Sequence, residues 1–385
     1  MKIFPILDPV SGEQVLSVEP AIEAYPDAQW RQRLNFFAGR ALTHTALRTE
    51  QQGRAGHLAT LGQALSPGVV TGLEAVAAPD ARPGSTDVVI EISAGMGLAA
   101  SGEVVSINRN HRVLLDDIQV YAPAALLDSE ASSSSTGGAY RMGDTLAEIR
   151  AANLPLPQAM VLVLQPVAVE HFGQEPSTDP CEYDSSDEAF ENWQWLDGCR
   201  LALYAWPAEL GPLPAPGPWR RNRIAHAVFN HERGRVAGEH LPWTHLGVAI
   251  ALVGLDASLN FDFLDRHSVV RRGGEARGGA LPISPAGNRF VWQAQFEQFN
   301  EQLVDWLMSD TSLLATALRA EQQFRHLPPV GVLPKEVMDP RQQQQRFFPL
   351  SYRVEALAIP YEQLDLAIQE SASLAPFDLN TPDRL

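Results

Sequence analysis

The apolar positions of this chain fall into β-like runs through its first two thirds and into helical spacing towards its end. The strongest strand signal is the continuous apolar run at 158–172, QAMVLVLQPVAVEHF, and CRLALYAW at 199–206 is expected to pair with it. Earlier, GVVTGLEAVA, DVVIEISAGMGLAASGEVVSI and HRVLLDDIQVY predict about four strands, beginning after Pro67-Gly68. LGVAIALVGLD and FDFLDRHSVVRR predict two more beyond residue 245. Helical spacing marks three places. After Gly39, Thr43 is a fair N-cap, and Leu47, Glu50, Gln51, Arg54 and Leu58 follow on a thin apolar stripe. WRRNRIAHAVFNHERG, from 219, reads as a second helix. From residue 288, Trp292, Phe296, Phe299, Leu303 and Trp306 step by four, three, four and three, a heptad-like seam.

These signals imply an α+β protein with β-rich N-terminal and middle domains and a helical C-terminal region. Residues 1–64 read as an arm and helix, and 65–206 as a β-rich domain interrupted by a flexible Ser/Gly insertion at 128–143. A Pro/Gly linker at 207–218 should then lead to a mixed helix and strand domain at 219–287. Residues 288–385 should be mainly helical, with Pro-rich segments and a short helix within IPYEQLDLAIQESASLAPFDL.

One motif asks for chemistry. Gly95-x-Gly97-x-x-Ala100 follows a strand-like run, as a dinucleotide-binding turn does. Such a turn must open a helix whose N-terminus faces the pyrophosphate. Here a second β-branched run, Val104-Val105-Ser106-Ile107, follows through Gly102, so a hairpin is expected and no cofactor.

Charge narrows the classes further. With 29 Lys and Arg against 46 Asp and Glu, the net charge of −17 argues against a general nucleic-acid binder. Lysine occurs only at positions 2 and 335, which removes a Gly-Lys-Ser/Thr phosphate loop and leaves arginine to carry the ion pairs. The two cysteines, Cys181 and Cys199, make no disulfide scaffold. No apolar run approaches a membrane span, and MKIFPILDPV lacks the core of a signal peptide, so cytoplasmic synthesis without membrane insertion is expected.

His231-Glu232 falls short of a zinc-protease motif because position 235 is Arg and Gly234 breaks the helix. His226, His231, His240 and His245 lie near one another in sequence, but their spacing does not align them on one helical face. The acidic stretch 179–197 is expected to be solvated, or to face Arg220, Arg221 and Arg223 or Arg266, Arg271 and Arg272. No Gly-x-Ser-x-Gly elbow and no Cys-x-x-Cys is present.

Phe37-Ala38-Gly39-Arg40-Ala41-Leu42-Thr43, Glu50-Gln51 and the segment from Pro67 to Glu74 occur in an order that resembles a recurring N-terminal module. That module belongs to proteins encoded with contractile phage tails and phage-tail-like contractile injection systems. The DPCE loop with CRLALY, then RRNRIAHAVF, LGVAIALVGLD and FRHLPPVGVLP, extend a looser similarity across residues 34–334. The resemblance implies a baseplate-associated, structural or fibre-connecting protein without catalytic residues, destined for a tail-like particle. Such assemblies impose symmetry, so a homo-oligomer, trimer or hexamer, is expected, in contact with other tail proteins. The expected contact residues are Phe36, Phe37, Arg40, Glu50 and Gln51 in the N-terminal motif and Trp292, Phe296, Phe299 and Trp306 on the seam. A receptor-binding or tail-fibre adaptor is the alternative, and an accessory metal-dependent hydrolase using the four histidines is a more distant one.

Overall fold

Strand β9 (Ala159–Phe172) organises the molecule, because both faces of its first half, 159–164, are covered. In a computed structural model of the chain, Met160, Leu162 and Leu164 belong to one core cluster, and Ala159, Val161 and Val163 to another. Two buried faces explain why the segment reads as an unbroken apolar run. The structure describes residues 43–82, 87–127, 139–172, 192–234, 240–275, 289–309, 319–335, 337–339, 344–355, 357–372 and 374–380. The chain divides into two compact units, Met1–Leu61 and Gly62–Leu385. The first contributes most of helix α1 (His44–Gly62), whose first turn is capped by Thr43 Oγ1 accepting from the Ala46 N–H at 3.2 Å.

The second unit opens with six short strands: β1 (Gly68–Thr71), β2 (Ala75–Pro79), β3 (Val88–Ile92), β4 (Gly95–Leu98), β5 (Val104–Ile107) and β6 (His111–Leu114). They form two three-stranded sheets, ordered β1-β4-β5 and β2-β3-β6. After them come β7 (Gln119–Pro123), α2 (Ala124–Leu127), β8 (Tyr140–Thr145) and α3 (Leu146–Ala151), with Thr145 and Glu148 making a reciprocal cap at the start of α3. Next are β10 (Asn192–Ala205), α4 (Arg220–Arg233), β11 (Val248–Leu255) and β12 (Phe261–Asp265). Six strands join in one mixed sheet, β12-β11-β9-β10-β7-β8, in which only β7 and β10 run parallel.

One face of this sheet packs on the small sheets through Ile90, Ile92, Val105 and Val253. The other packs on α4 and the turn after it through Ile224, Val228 and Trp243. Helix α5 (Arg289–Ser309) lies on α4 through Ala225, Phe229, Val291 and Ala294. The C-terminal part adds β13 (His326–Leu327), β14 (Met338–Asp339), β15 (Gln344–Gln345), α6 (Leu364–Ala372) and β16 (Phe377–Asp378). β13 pairs with β16 and β14 with β15.

The α+β class and the pairing of β9 with β10 match the sequence reading. Three details differ. Strands from both sides of 207–218 enter one sheet, and Leu210 within that stretch is buried, so it connects parts of one body. Residues 140–143 of the expected insertion belong to β8, while 128–138 lie outside the described residues. Beyond α5 the chain is mostly irregular, with α6 as its one described α-helix, because the prolines there deny helices the backbone donors they need.

The glycines, expected to connect 88–92 to 104–107 as a hairpin, instead form a strand of their own, while β3 pairs with β2 and β6 in the other small sheet. β4 pairs antiparallel with β5, placing Gly97 opposite Val105. A Cβ on Gly95 would sit 2.3 Å from the Thr71 carbonyl oxygen, and one on Gly97 would sit 2.9 Å from Val248 Cγ1. Close backbone approach accounts for Gly95, and the packed Val248 side chain for Gly97.

Candidate interaction site

The N-terminal part of the expected contact set is only partly visible. Phe36, Phe37 and Arg40 lie outside the described residues. Glu50 and Gln51 sit on α1, where Glu50 accepts from Arg54 Nε at 3.1 Å, one helical turn away, and Gln51 is exposed. Leu47, Leu58 and Leu61 on the same helix are also exposed.

The seam on α5 splits. Phe299 and Trp306 are buried in the chain's own core, with Phe299 5.1 Å from Phe324 and edge-on to Phe347, and Trp306 edge-on to Phe324. Trp292 and Phe296 are half-buried. The expectation that all four aromatics face a partner fails for Phe299 and Trp306, because Phe324 and Phe347 return to cover that stripe. Phe299→Asp would place a charge inside this cluster and so report on folding. Trp292→Asp remains a test of contact.

On its other flank α5 is held by charge. Asp265, fully buried at the end of β12, accepts from Arg221 Nε at 2.8 Å, Gln298 Nε2 at 3.0 Å and the Ser268 N–H at 2.9 Å. Arg221 also donates to Glu301 at 3.0 Å and Asp305 at 2.6 Å, bridging α4 to α5. Burial works against both charges. Even so, the Arg221 guanidinium and the hydrogen bonds keep the Asp265 carboxyl below its ordinary pKa, and the surrounding carboxylates raise that of Arg221. Burial pushes Glu301 up to about 7, with Arg221 pulling the other way.

Four of the six arginines expected to face the acidic stretch, Arg221 among them, pair with other groups. Arg220 donates to the Leu255 and Gln158 carbonyl oxygens and to Asp262, and Arg271 pairs with Glu232 at 2.6 Å. Arg266 lies 3.5 Å from Glu74. Most of the acidic stretch, and Cys181 with it, lies outside the described residues, while Cys199 is a free thiol.

The four histidines do not converge. His226 stacks on His326 with ring centroids 3.6 Å apart and planes 10° from parallel. A metal ion lies in the plane of an imidazole that ligates it, so two parallel rings cannot share one. His231, His240 and His245 line a cleft elsewhere. Among the described residues no three His, Cys, Asp or Glu side chains gather as a metal site. Burial, then the neighbouring His326 and Arg233, lower the pKa of His226 to about 4, against a weaker pull from Asp378. The folded state therefore resists protonating this ring. Its contribution to stability is complete above about pH 6.5 and is lost as pH falls towards 4. Glu301, raised, acts in the opposite sense, losing its contribution as pH rises from about 4.5 to 7. His226→Gln should thus flatten the acid limb of a urea-midpoint against pH curve, and the difference from wild type should grow steadily below pH 6.5.

The surface that sequence reasoning missed lies at the C-terminus. Phe347 and Leu379 are buried in the cluster around Phe324, and β16 is fixed to β13 by backbone pairing and by an Arg325–Asp378 ion pair at 2.7 Å. Between these anchors the chain makes an excursion that leaves several of its apolar side chains in water, although Phe348 and Tyr352 pack on the cluster. Leu350 is 83% exposed, Leu357 87% and Tyr361 85%, with Leu366 and Leu374 more than half exposed. Helix α6 buries no residue at all. An apolar set this dense on one anchored arm is unusual for a surface with nothing to meet. The signal was present in IPYEQLDLAIQ, but only the fold shows that no other described segment buries it.

Among the described residues no helix is long and apolar enough to cross a membrane. No protein-family model matches the chain, and no curated protein matches it significantly.

Proposed function

We propose that this protein is a non-enzymatic structural component of a contractile tail or injection-system baseplate, assembling as a trimer or hexamer and joining neighbouring tail proteins. The observation that carries the reading is the C-terminal excursion between Phe347 and Leu379, which is anchored at both ends and apolar on its surface. Burying one leucine side chain favours association by about 1.5–3 kcal/mol, and several lie along this arm. The order of the Phe37–Thr43, Glu50-Gln51 and Pro67–Glu74 segments supplies the particular machine. Acid-rich α6 suits a partner surface carrying arginine or lysine. Quantitative mass spectrometry of purified contractile particles from the producing cells tests the assignment. The chain should appear at a fixed copy number that is a multiple of three. Particles that are complete without it would contradict the reading.

A further inference from the structure

Tyr204 on β10 lies in register with Tyr121 on β7, and Tyr140 opens the adjacent β8. The rings form one cluster, with Tyr140 stacked 4.9 Å from Tyr204 and 5.6 Å from Tyr121. The end of α4 and the turn at Pro242–His245 line the same space. The result is an open cleft of about 760 Å³, floored by Tyr140 and Tyr204. Small-molecule sites span about 300–1,000 Å³.

The lining selects among ligands. Glu209, Asn230, His231, His240 and His245 surround the tyrosines, and no Arg or Lys is among the described lining residues. Against these residues a phosphate or other anion would meet one carboxylate and no cation. An alkyl chain would take water from an acid, an amide and imidazoles without replacing it. A quaternary ammonium is best held by a box of open aromatic faces, yet Tyr204 is almost wholly buried and only Tyr140 is half-exposed. What fits is a ligand with an apolar face and a rim of hydroxyls.

We propose that this cleft is a binding site for a neutral oligosaccharide, with a sugar ring packed on Tyr140 and its hydroxyls bonded to Asn230, Glu209 and the imidazole of His245. The aromatic ring offers an apolar body and the rim offers both donors and acceptors. Burial raises the pKa of both Tyr140 and Tyr204, and the buried Tyr204 hydroxyl is engaged with that of Tyr140, which leaves the Tyr140 hydroxyl to donate outward. The cleft is a property of the sheet and α4, so it stands or falls separately from the assembly role of the arm.

Saturation-transfer NMR on the full-length protein, with a panel of neutral malto-, cello-, xylo- and chito-oligosaccharides and with choline as comparator, tests this. At least one oligosaccharide should bind saturably, and Tyr140→Ala should weaken it at least about tenfold. Because Tyr140 also packs within the sheet, Asn230→Ala and His245→Ala, both at exposed positions, should weaken binding several-fold with an unchanged melting temperature. Absence of saturable binding by every member up to about 10 mM would overturn the proposal. So would affinity that none of the three variants alters, or binding of choline alone.

Discussion

Arg221→Met is expected to destabilise the second unit by about 3–5 kcal/mol, the range seen when one partner of a buried ion pair is removed. The cost follows from what stays behind. Asp265 is wholly buried, and without Arg221 it keeps only Gln298 Nε2 and the Ser268 N–H as partners, with Glu301 and Asp305 nearby adding like charge. Removing both ends should be milder, because Arg221→Met with Asp265→Leu leaves no orphaned charge at the end of β12. Urea denaturation should show a large fall in midpoint for the single variant and partial recovery for the double, at a similar m-value. A single-variant loss below about 1 kcal/mol would mean that the pair behaves like a surface contact and does not clamp α5 to α4.

The second large effect should appear in assembly and leave the fold intact. Leu357→Glu with Leu366→Glu alters two exposed side chains on the C-terminal arm, neither of which contributes to the buried clusters. If each leucine gives about 1.5–3 kcal/mol to an interface, the pair accounts for about 3–6 kcal/mol, a loss of roughly 10²–10⁴ in association constant. The melting temperature should remain that of the wild-type protomer. By contrast, Phe347→Ala, at the root of the arm, should lower stability through the cavity it leaves. That contrast separates the arm's surface from its anchor.

Local signals carried much of this fold. β9, β11, α4 and α5 were all legible, because long runs or long helical periods leave little choice of element. Thr43 was legible as a cap because the side chain answers a purely local need. After the glycine motif a strand was legible, since a β-branched run stands where a helix would be required, but the glycines themselves were read as a connection and form β4. The domain scheme was harder to read. A stretch as rich in proline as 207–218 looks like a linker, and nothing local reveals that Leu210 will be buried or that β11 will pair with β9.

The α5 seam shows the limit most clearly. A heptad-like stripe states that Phe299 and Trp306 need cover, but not whether the cover comes from another subunit or from Phe324 and Phe347 further along the chain. The arm shows the converse. Leu350, Leu357 and Tyr361 are scattered among prolines with no period to mark them, so their shared exposure emerges only when the anchors at Phe347 and Leu379 are seen. The tyrosine cleft also depends on tertiary structure, because its residues come from two strands, a helix end and turns.

The most direct test of the assembly claim is the particle mass of the full chain by mass photometry at two concentrations, beside the Leu357→Glu, Leu366→Glu variant. The account predicts a discrete trimer or hexamer for the wild-type chain and a 42.1 kDa protomer for the variant. Wild-type and variant chains of the same oligomeric mass would contradict it.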